Sequence, residues 1–421
     1  MNSKLIAAVR VVNILNDNDY RAYLAGGCVR DMVIGREPKD YDVATSATPE
    51  QVETLFPEST AVGKSFGVVI VKIGNESLEV ATFRTESAYS DRRHPDTVTY
   101  AKTGKEDVQR RDFTMNGLLL NQGFAASHHS IHMQVLDYVG GVQDIKHQII
   151  RCIGNPEERI AEDALRMLRA IRFAVQLGFV IEENTWKAIR ANHKLIENVS
   201  RERVRDEFLK MLESPNPARA IYLLYRSNLF EDLFGKDFND VLPDLLHRLD
   251  WAAENGFFRD IDMLAMIGSC VDTTAFHFFV NGLKLSNDET EQLFDAKFCV
   301  AYMANLAEAS PAEVVTFLRR KGSYQALAMY QAMAATCDTD PSSFYVEKIT
   351  AHIDKYLHLV NTKPFITGDD LIAAGMTPGS SFRSCLSLYE YRQLNGEFLT
   401  REDALADLNK EKQSNDTSTS C

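Results

Sequence analysis

The chain has 421 residues, of which 45% are hydrophobic and 25% are charged, the composition of an ordinary soluble protein with room for two to four compact units. Its 46 Lys and Arg against 59 Asp and Glu give a net charge of −13, which excludes a surface coated with nucleic-acid-binding cations and confines any RNA site to a local region. No run approaches the roughly 20 apolar residues of a membrane span, and the seven cysteines form no CxxC pair. We therefore expect a cytoplasmic protein with reduced thiols and no membrane partner.

The first third of the chain is predicted to be a helix followed by a small mixed sheet. Short β-rich runs such as GVVIVKIG (67–74) and SLEVATFR (77–84) alternate with turns, which is typical of strands. After residue 145 the apolar residues recur at the helical period, so nearly all of the remainder is predicted to be helical. The sequence thus predicts an α+β fold, with a mixed β-sheet region followed by an all-α region.

The segment LAGGCVRDMVIGREPKDYDVATSA combines paired glycines with two aspartates. Gly26 and Gly27 precede a predicted helix, where free backbone N–H groups and the helix dipole suit a phosphate, and Arg30 adds a fixed positive charge. Asp40 and Asp42 stand two residues apart at the start of a β-rich run, so we expect their carboxylates to project to the same side. Such a pair suits catalytic Mg²⁺, with Mn²⁺ as the alternative, bridging to substrate phosphates.

The octapeptide RRDFTMNG places Arg110 and Arg111 next to Asp112, with Asn116 four residues further on. Bidentate guanidinium groups suit phosphate oxygens, and a carboxylate is a natural acceptor for a ribose hydroxyl. On its own, the octapeptide is equally compatible with a surface salt-bridge cluster.

The segment EDALRMLRAIRFA bears on the choice of nucleotide base. If one helix carries Asp163 and Arg166, they share a face and present an acceptor beside a donor. That order matches the edges of cytosine and adenine and mismatches those of uracil and guanine, at a cost of roughly 1–3 kcal/mol per mismatched group. Arg169 and Arg172 continue the same row and are candidates for further phosphate or RNA contacts, with packing against neighbouring acids as the alternative.

Two weaker candidates remain. Glu79 lies on a β-rich run after the aspartate pair and is a candidate third carboxylate near the metals, with a solvated strand edge as the alternative. His128, His129 and His132 have no nearby Cys or carboxylate to complete a metal site, so we expect them at an exposed hairpin tip.

Several motifs in order resemble one family, the class II tRNA nucleotidyltransferases and bacterial poly(A) polymerases, a branch of the polymerase-β-like nucleotidyltransferases. The resemblance is dense to about residue 212 and thinner afterwards. The motifs are GGCVRDMVIGREPKDYDVATSATPE, RRDFTMNG, DYVGGVQDI, EDALRMLRAIRFA, RERVRDEF and TGDDLIAAGMTPG.

The resemblance implies template-independent addition of C and A from CTP and ATP to the 3′ acceptor end of tRNA, with release of pyrophosphate. It implies that Arg111 holds the triphosphate, that Asp112 and Asn116 lie at the ribose 2′-OH, and that Asp163 and Arg166 are an amino-acid template for the base. It also implies a division of the chain into a nucleotidyltransferase head (1–145), a base-recognising neck (146–213), an RNA-binding body (214–345), a tRNA-binding tail (346–409) and a disordered end (410–421).

Three alternatives to a complete CCA-adding enzyme were considered from the sequence. An enzyme that adds only A, with a separate partner for CC, needs the same base-edge pattern as a CCA-adding enzyme. A poly(A) polymerase is less favoured, since the C-terminal region is not strongly basic. A non-catalytic RNA-binding relative would be expected to have lost Asp40, Asp42 or Arg111, and all three are present. The sequence also leaves the oligomeric state open.

Overall fold

The structure is a computed structural model that describes residues 2–61, 67–87, 97–125, 130–236, 238–257, 259–336 and 342–418. It divides into two compact units, Met1–Lys236 and Asp237–Cys421. All assigned strands belong to the first unit, and the described part of the second unit contains only helices and their connections. This confirms the predicted α+β fold.

A mixed sheet lies at the centre of the first unit. The strands in chain order are β1 (Ala22–Ala25), β2 (Asp42–Thr45), β3 (Thr60–Ala61), β4 (Val68–Ile73), β5 (Glu76–Thr82), β6 (Arg84–Ser87), β7 (Thr97–Tyr100), β8 (Leu118–Ala125), β9 (Ser130–Asp137), β10 (Ile149–Ile150) and β11 (Val180–Ile181). Seven of them form the sheet in the order β3-β4-β5-β2-β1-β8-β9, while β6 pairs with β7 and β10 with β11. Within the large sheet β2 and β5 run parallel and the other neighbours run antiparallel.

Helices cover the sheet and continue beyond it in the first unit. They are α1 (Ser3–Asp17), α2 (Gly27–Ile34), α3 (Pro49–Leu55), α4 (Gly104–Gln109), α5 (Gly141–Lys146), α6 (Pro156–Glu162), α7 (Leu165–Leu177), α8 (Glu183–Ala191), α9 (Arg201–Leu212), α10 (Pro217–Arg226) and α11 (Leu229–Phe234), with 3₁₀ turns at Thr114–Asn116 and His193–Asn198. The sheet packs on α1 through buried residues such as Val11, Val12 and Leu15.

The second unit is a set of helices around its own apolar core. They are α12 (Leu242–Glu254), α13 (Asp260–Ser269), α14 (Thr273–Gly282), α15 (Asn287–Val300), α16 (Pro311–Leu318), α17 (Ser323–Thr336), α18 (Ser342–Tyr356), α19 (Gly368–Ala373), α20 (Ser380–Leu394) and α21 (Arg401–Ser418), with 3₁₀ turns at Met303–Ala307 and Leu357–Leu359. In the described part of the chain, no helix has the length and apolar character needed to cross a membrane.

Local sequence determines where many of these helices begin. Thr48 and Gln51 form a capping box at the start of α3, and Ser310 and Glu313 form another at the start of α16. In both helices proline occupies the first turn, where its missing N–H leaves no intrahelical bond unmade.

The segment EDALRMLRAIRFA is not one helix, contrary to the geometry assumed from its spacing. Helix α6 ends at Glu162, Asp163 adopts an extended conformation with φ −145° and ψ 103°, and α7 begins at Leu165. The carboxylate of Asp163 accepts the N–H of Leu165 at 3.1 Å. Aspartate side chains compete in this way with the helical backbone ladder, which explains a break that periodicity alone does not reveal.

The predicted division into five parts is finer than the two compact units and stays a prediction. The boundary predicted between residues 345 and 346 falls inside α18, and the residues just beyond 213 belong to the same unit as the sheet. The end predicted to be disordered is assigned to α21 as far as residue 418. The polar composition of residues 410–421 suggested disorder. The run KEKQ at 410–413 nevertheless consists of good helix formers, which explains why α21 continues through it.

Candidate active site

Asp42 is the first residue of β2, and Asp40 lies in the turn before it. We expected both carboxylates to project to the same side because residues two apart in a strand do so. That argument does not apply here, because Asp40 lies outside the strand. Both aspartates nevertheless line one cleft of about 470 Å³, together with Gly27 and Arg30. Both side chains are exposed, and Asp40 pairs with Lys4 at 2.9 Å.

The parallel pairing of β2 with β5 brings a third carboxylate beside Asp42. Val43 is level with Val80 in this pairing, so Glu79 stands next to Asp42, one residue earlier on each strand. No group of three His, Cys, Asp or Glu residues in the described ranges could hold a metal ion. A role for Glu79 as a third metal ligand therefore stays a prediction.

Asp42 lies near two other carboxylates and one guanidinium group. Its surface is open to the cleft, but the surrounding cleft walls desolvate it, and this desolvation together with repulsion from Glu79 and Asp40 raises the pKa of Asp42 to about 6, which Arg111 only partly offsets. Carboxylates that repel one another in this way bind a hard divalent cation well, because the cation cancels the excess charge. The oxygen donors present thus fit Mg²⁺ or Mn²⁺.

The glycine turn brings the backbone close to Arg111. Gly26 has φ +77° and ψ −129°, and α2 begins at the next residue. This backbone conformation is favoured only by glycine. A Cβ at Gly26 would lie 2.8 Å from Nη1 of Arg111. The buried carboxylate of Asp107 accepts hydrogen bonds from Nε and Nη2 of Arg111 at 3.2 and 3.0 Å. Arg111 therefore lies beside the start of α2 and is oriented by Asp107.

We expect Gly26→Ala to raise the KM for CTP and ATP by roughly tenfold or more, because its Cβ would displace the Arg111 guanidinium and its backbone strain costs about 1–3 kcal/mol. Gly35→Ala is the matched control. Gly35 also has a positive φ, +84°, but a Cβ there would meet nothing within 4 Å, so it should lose stability with an unchanged KM. Equal KM values in both variants would contradict the placement of Arg111.

A second set of hydrogen bonds joins the α2 arginine to the RRDFTMNG segment. Nη1 of Arg30 donates to Oδ1 of Asn116 at 2.8 Å, and Nδ2 of Asn116 donates to Oδ1 of Asp112 at 3.1 Å. Burial alone would raise the pKa of Asp112, but the Arg169 guanidinium holds that pKa at about 2. Asp112 is therefore ionised and paired at any working pH.

The predicted base-reading residues lie beside this segment. Oδ2 of Asp163 accepts Nη2 of Arg203 from α9 at 2.8 Å. Nη1 of Arg166 donates to Oε2 of Glu162 at 2.7 Å, and its Nη2 lies 3.5 Å from the Arg110 carbonyl oxygen. Arg166 is buried and Asp163 half-buried, so both have fixed partners that orient their remaining polar atoms.

The other candidate arginines are engaged by acids within the protein. Arg110 pairs with Asp107 at 2.8 Å, Arg169 with Asp112 at 2.6 Å and Arg172 with Glu207 at 2.5 Å. For Arg169 and Arg172 this favours the alternative of packing against neighbouring acids over an RNA contact.

The sequence did not predict several hydrogen-bond and ion-pair partners of the candidate residues. Asp107 and Glu162 precede their arginines by three or four residues, a spacing that is detectable on a helix. Arg203 and Glu207 are distant in sequence and become partners only through the packing of α9 on α7. The strands β8 and β9 pair as an antiparallel hairpin. The predicted position of His128 and His129 lies outside the described residues, and the side chain of His132 is likewise not described.

Comparisons with known proteins cover nearly the whole chain. Residues 22–151 match a family described as "Poly A polymerase head domain", and residues 178–242 match "Probable RNA and SrmB- binding site of polymerase A". A CCA-adding enzyme of Lactobacillus helveticus is 35% identical over 389 residues, covering 91% of each chain, and one of Enterococcus faecalis is 31% identical over 417 residues, covering 97% of this chain and 96% of its own. The crystal structure of Bacillus stearothermophilus CCA-adding enzyme in complex with CTP aligns with a TM-score of 0.76 at 28% identity, over 99% of this chain and 100% of that one.

Proposed function

The chain belongs to the CCA-adding enzymes of the class II tRNA nucleotidyltransferase and poly(A) polymerase family, and we propose that it adds C and A from CTP and ATP to the tRNA 3′ end and releases pyrophosphate. The observation that carries this proposal is the relation to enzymes of that name over 91% and 97% of the chain. The cleft with paired aspartates, a glycine turn and fixed arginines supports it chemically.

We propose Asp40 and Asp42 as the catalytic metal ligands. Nucleotidyltransferases of this family generally use divalent metal ions, and the oxygen donors here favour Mg²⁺, with Mn²⁺ as the alternative. A bound ion would lower the pKa of the attacking 3′ hydroxyl and stabilise the leaving pyrophosphate. Lys4, which pairs with Asp40, would balance part of the negative charge of the two aspartates before substrates bind.

Triphosphate binding is assigned to the glycine turn and its arginines. Gly26 and Gly27 allow the substrate to approach the backbone N–H groups at the start of α2. Arg30 is oriented by Asp31 and Asn116, and Arg111 by Asp107, so both offer fixed guanidinium groups suited to phosphate oxygens. Asp112 and Asn116 are assigned to the ribose side of the site.

Base choice is assigned to Asp163 and Arg166. The carboxylate accepts from the exocyclic amine of cytosine or adenine, and the guanidinium donates to the neighbouring ring nitrogen. Uracil and guanine would place an acceptor against the carboxylate and a donor against the guanidinium. Asp163 and Arg166 have the fixed partners Arg203 and Glu162. These partners support the role, because reading a base edge requires side chains that do not reorient.

We propose that the regions after residue 213 hold the tRNA acceptor arm, and that the protein acts in the cytoplasm. Cys28, Cys152, Cys270 and Cys299 are free thiols in the structure, which fits a reducing compartment.

The experiment that tests this function uses three tRNA transcripts, ending before CCA, after C and after CC, each incubated with one labelled triphosphate at a time. We expect C, C and A to be added to them respectively, and no addition in the presence of EDTA. Addition of A to the third transcript alone would identify an A-adding enzyme, and long A tails would identify a poly(A) polymerase. Turnover in metal-free buffer would contradict the metal assignment.

A further inference from the structure

Each carboxylate oxygen of Asp112 accepts two hydrogen bonds from the protein. Its Oδ1 accepts the Phe113 N–H at 2.7 Å in addition to Asn116, and its Oδ2 accepts both Nε and Nη2 of Arg169, at 2.9 and 2.6 Å. A guanidinium that gives two donors to one carboxylate oxygen is fixed in direction as well as in distance. The Asp112–Arg169 pair therefore ties the RRDFTMNG segment to α7.

The contact continues from α7 into α9. Nε of Arg172 donates to Oε2 of Glu207 at 2.5 Å, and Nη1 of Arg169 lies 3.7 Å from Oε1 of the same carboxylate. Glu207 is only 5% exposed. The Phe173 ring packs beneath both guanidinium groups, with its centroid 5.3 Å from Cζ of Arg169 and 4.0 Å from Cζ of Arg172.

Two functional segments meet at this point. Arg166 lies one turn before Arg169 on α7, and Arg111 immediately precedes Asp112 in the chain. Arg166 also contacts the triphosphate-binding segment directly, because its Nη2 lies 3.5 Å from the carbonyl oxygen of Arg110, the residue before Arg111. The Asp112–Arg169 pair is thus one of the contacts that set the position of the base-reading helix relative to the triphosphate-binding arginine, together with the Arg159 guanidinium on α6, which donates to the carbonyl oxygens of Arg110 and Arg111.

We propose that Arg169 is a positioning residue for nucleotide selection: its pairing with Asp112 fixes the distance between the base-reading residues on α6 and α7 and the triphosphate-binding arginine. This inference rests on the proposed function and deepens it. Arg169 acts through Asp112 and contacts neither RNA nor triphosphate. A displacement of about 1 Å at a reacting or reading group lowers rates by up to about 100-fold, so a rigid link here affects both the rate and the choice of base.

The test is Arg169→Lys, which keeps the positive charge but removes the planar two-donor contact with Asp112. We expect faster amide hydrogen exchange in both α7 and residues 110–117, a fall of roughly 10- to 100-fold in kcat/KM for CTP and ATP, and a smaller preference for them over UTP and GTP. Affinity for tRNA in the absence of triphosphate, and its dependence on salt, should match the wild type. Asp112→Asn, which removes the acid charge without changing the side-chain shape, should show the same pattern and provides a second variant if one does not fold.

Arg190→Lys on the exposed side of α8 is the matched control and should leave the exchange rates of both segments unchanged. Weaker tRNA binding with a smaller salt dependence and unchanged nucleotide preference would overturn the proposal, because it would make Arg169 a phosphate contact. Exchange rates and nucleotide preference both equal to the wild type would also overturn it. A wild-type protein that adds neither C nor A would reject the proposed function, whereas the exchange measurement would still test the link between the two segments.

Discussion

Replacing Asp42 by alanine is expected to lower nucleotide addition by roughly 1,000-fold or more, while affinity for tRNA stays close to that of the wild type. Desolvation in the cleft, followed by repulsion from Glu79 and Asp40, raises the pKa of Asp42 to about 6, and a divalent ion is the charge that best balances such a group. Its removal would take away a proposed metal ligand and leave the regions proposed to hold the tRNA unchanged. Asp40→Ala should have the same effect.

Two measurements separate this loss from a folding defect. Mn²⁺ binding, followed by electron paramagnetic resonance in the presence of CTP, should weaken in both variants, whereas thermal unfolding should change little because both carboxylates are exposed. Asp17→Ala, an exposed change near the end of α1, is the matched control and should retain full activity. Normal turnover in Asp42→Ala or in Asp40→Ala would rule out the metal assignment.

Replacing both Asp163 and Arg166 by alanine should separate the rate of addition from the choice of nucleotide. Incorporation of UTP and GTP should rise relative to CTP and ATP, since the unmatched donors and acceptors that reject them are gone, and the total rate should fall. Triphosphate binding should persist, because it is proposed to depend on Arg111 and the aspartates. The measurement is the ratio of kcat/KM among the four triphosphates on a tRNA that lacks its 3′ end.

The structure adds a control to that experiment. Arg166 also donates to Glu162, and Asp163 accepts from Arg203, so the double variant leaves two charged groups with fewer partners and should lose some stability. Arg203→Ala is the control, because it removes the contact with Asp163 but keeps the side chains of both Asp163 and Arg166. If the double variant unfolds, or if its nucleotide ratios equal those of the wild type, the pair is a structural contact and not a template.

Sequence alone located the residues whose chemistry is local. Gly26, Asp40, Asp42 and Arg111 stand in short segments whose composition already suggests phosphate and metal binding, and the structure brings Asp40 and Asp42 to one cleft. The geometry inferred for them was less reliable. Asp40 precedes the strand, because β2 begins only at Asp42.

The partners of these residues were harder to predict, because tertiary packing selects them. Glu207 and Arg203 sit on α9, about 40 residues after the groups they bind, and no local spacing connects them. The break at Asp163 depends on one side-chain hydrogen bond to the backbone, which competes with a helix that the apolar periodicity favours. The sheet order likewise follows from long-range pairing, since β1 lies between β2 and β8.

The most direct measurement is the sequence of the product 3′ ends after wild-type protein acts on a tRNA transcript lacking CCA, with all four triphosphates and Mg²⁺ present together. We predict that the products end in CCA and extend no further. Products that end in runs of A, that contain U or G at these positions, or that remain unextended under conditions where the protein is folded would contradict CCA addition as the function of this protein.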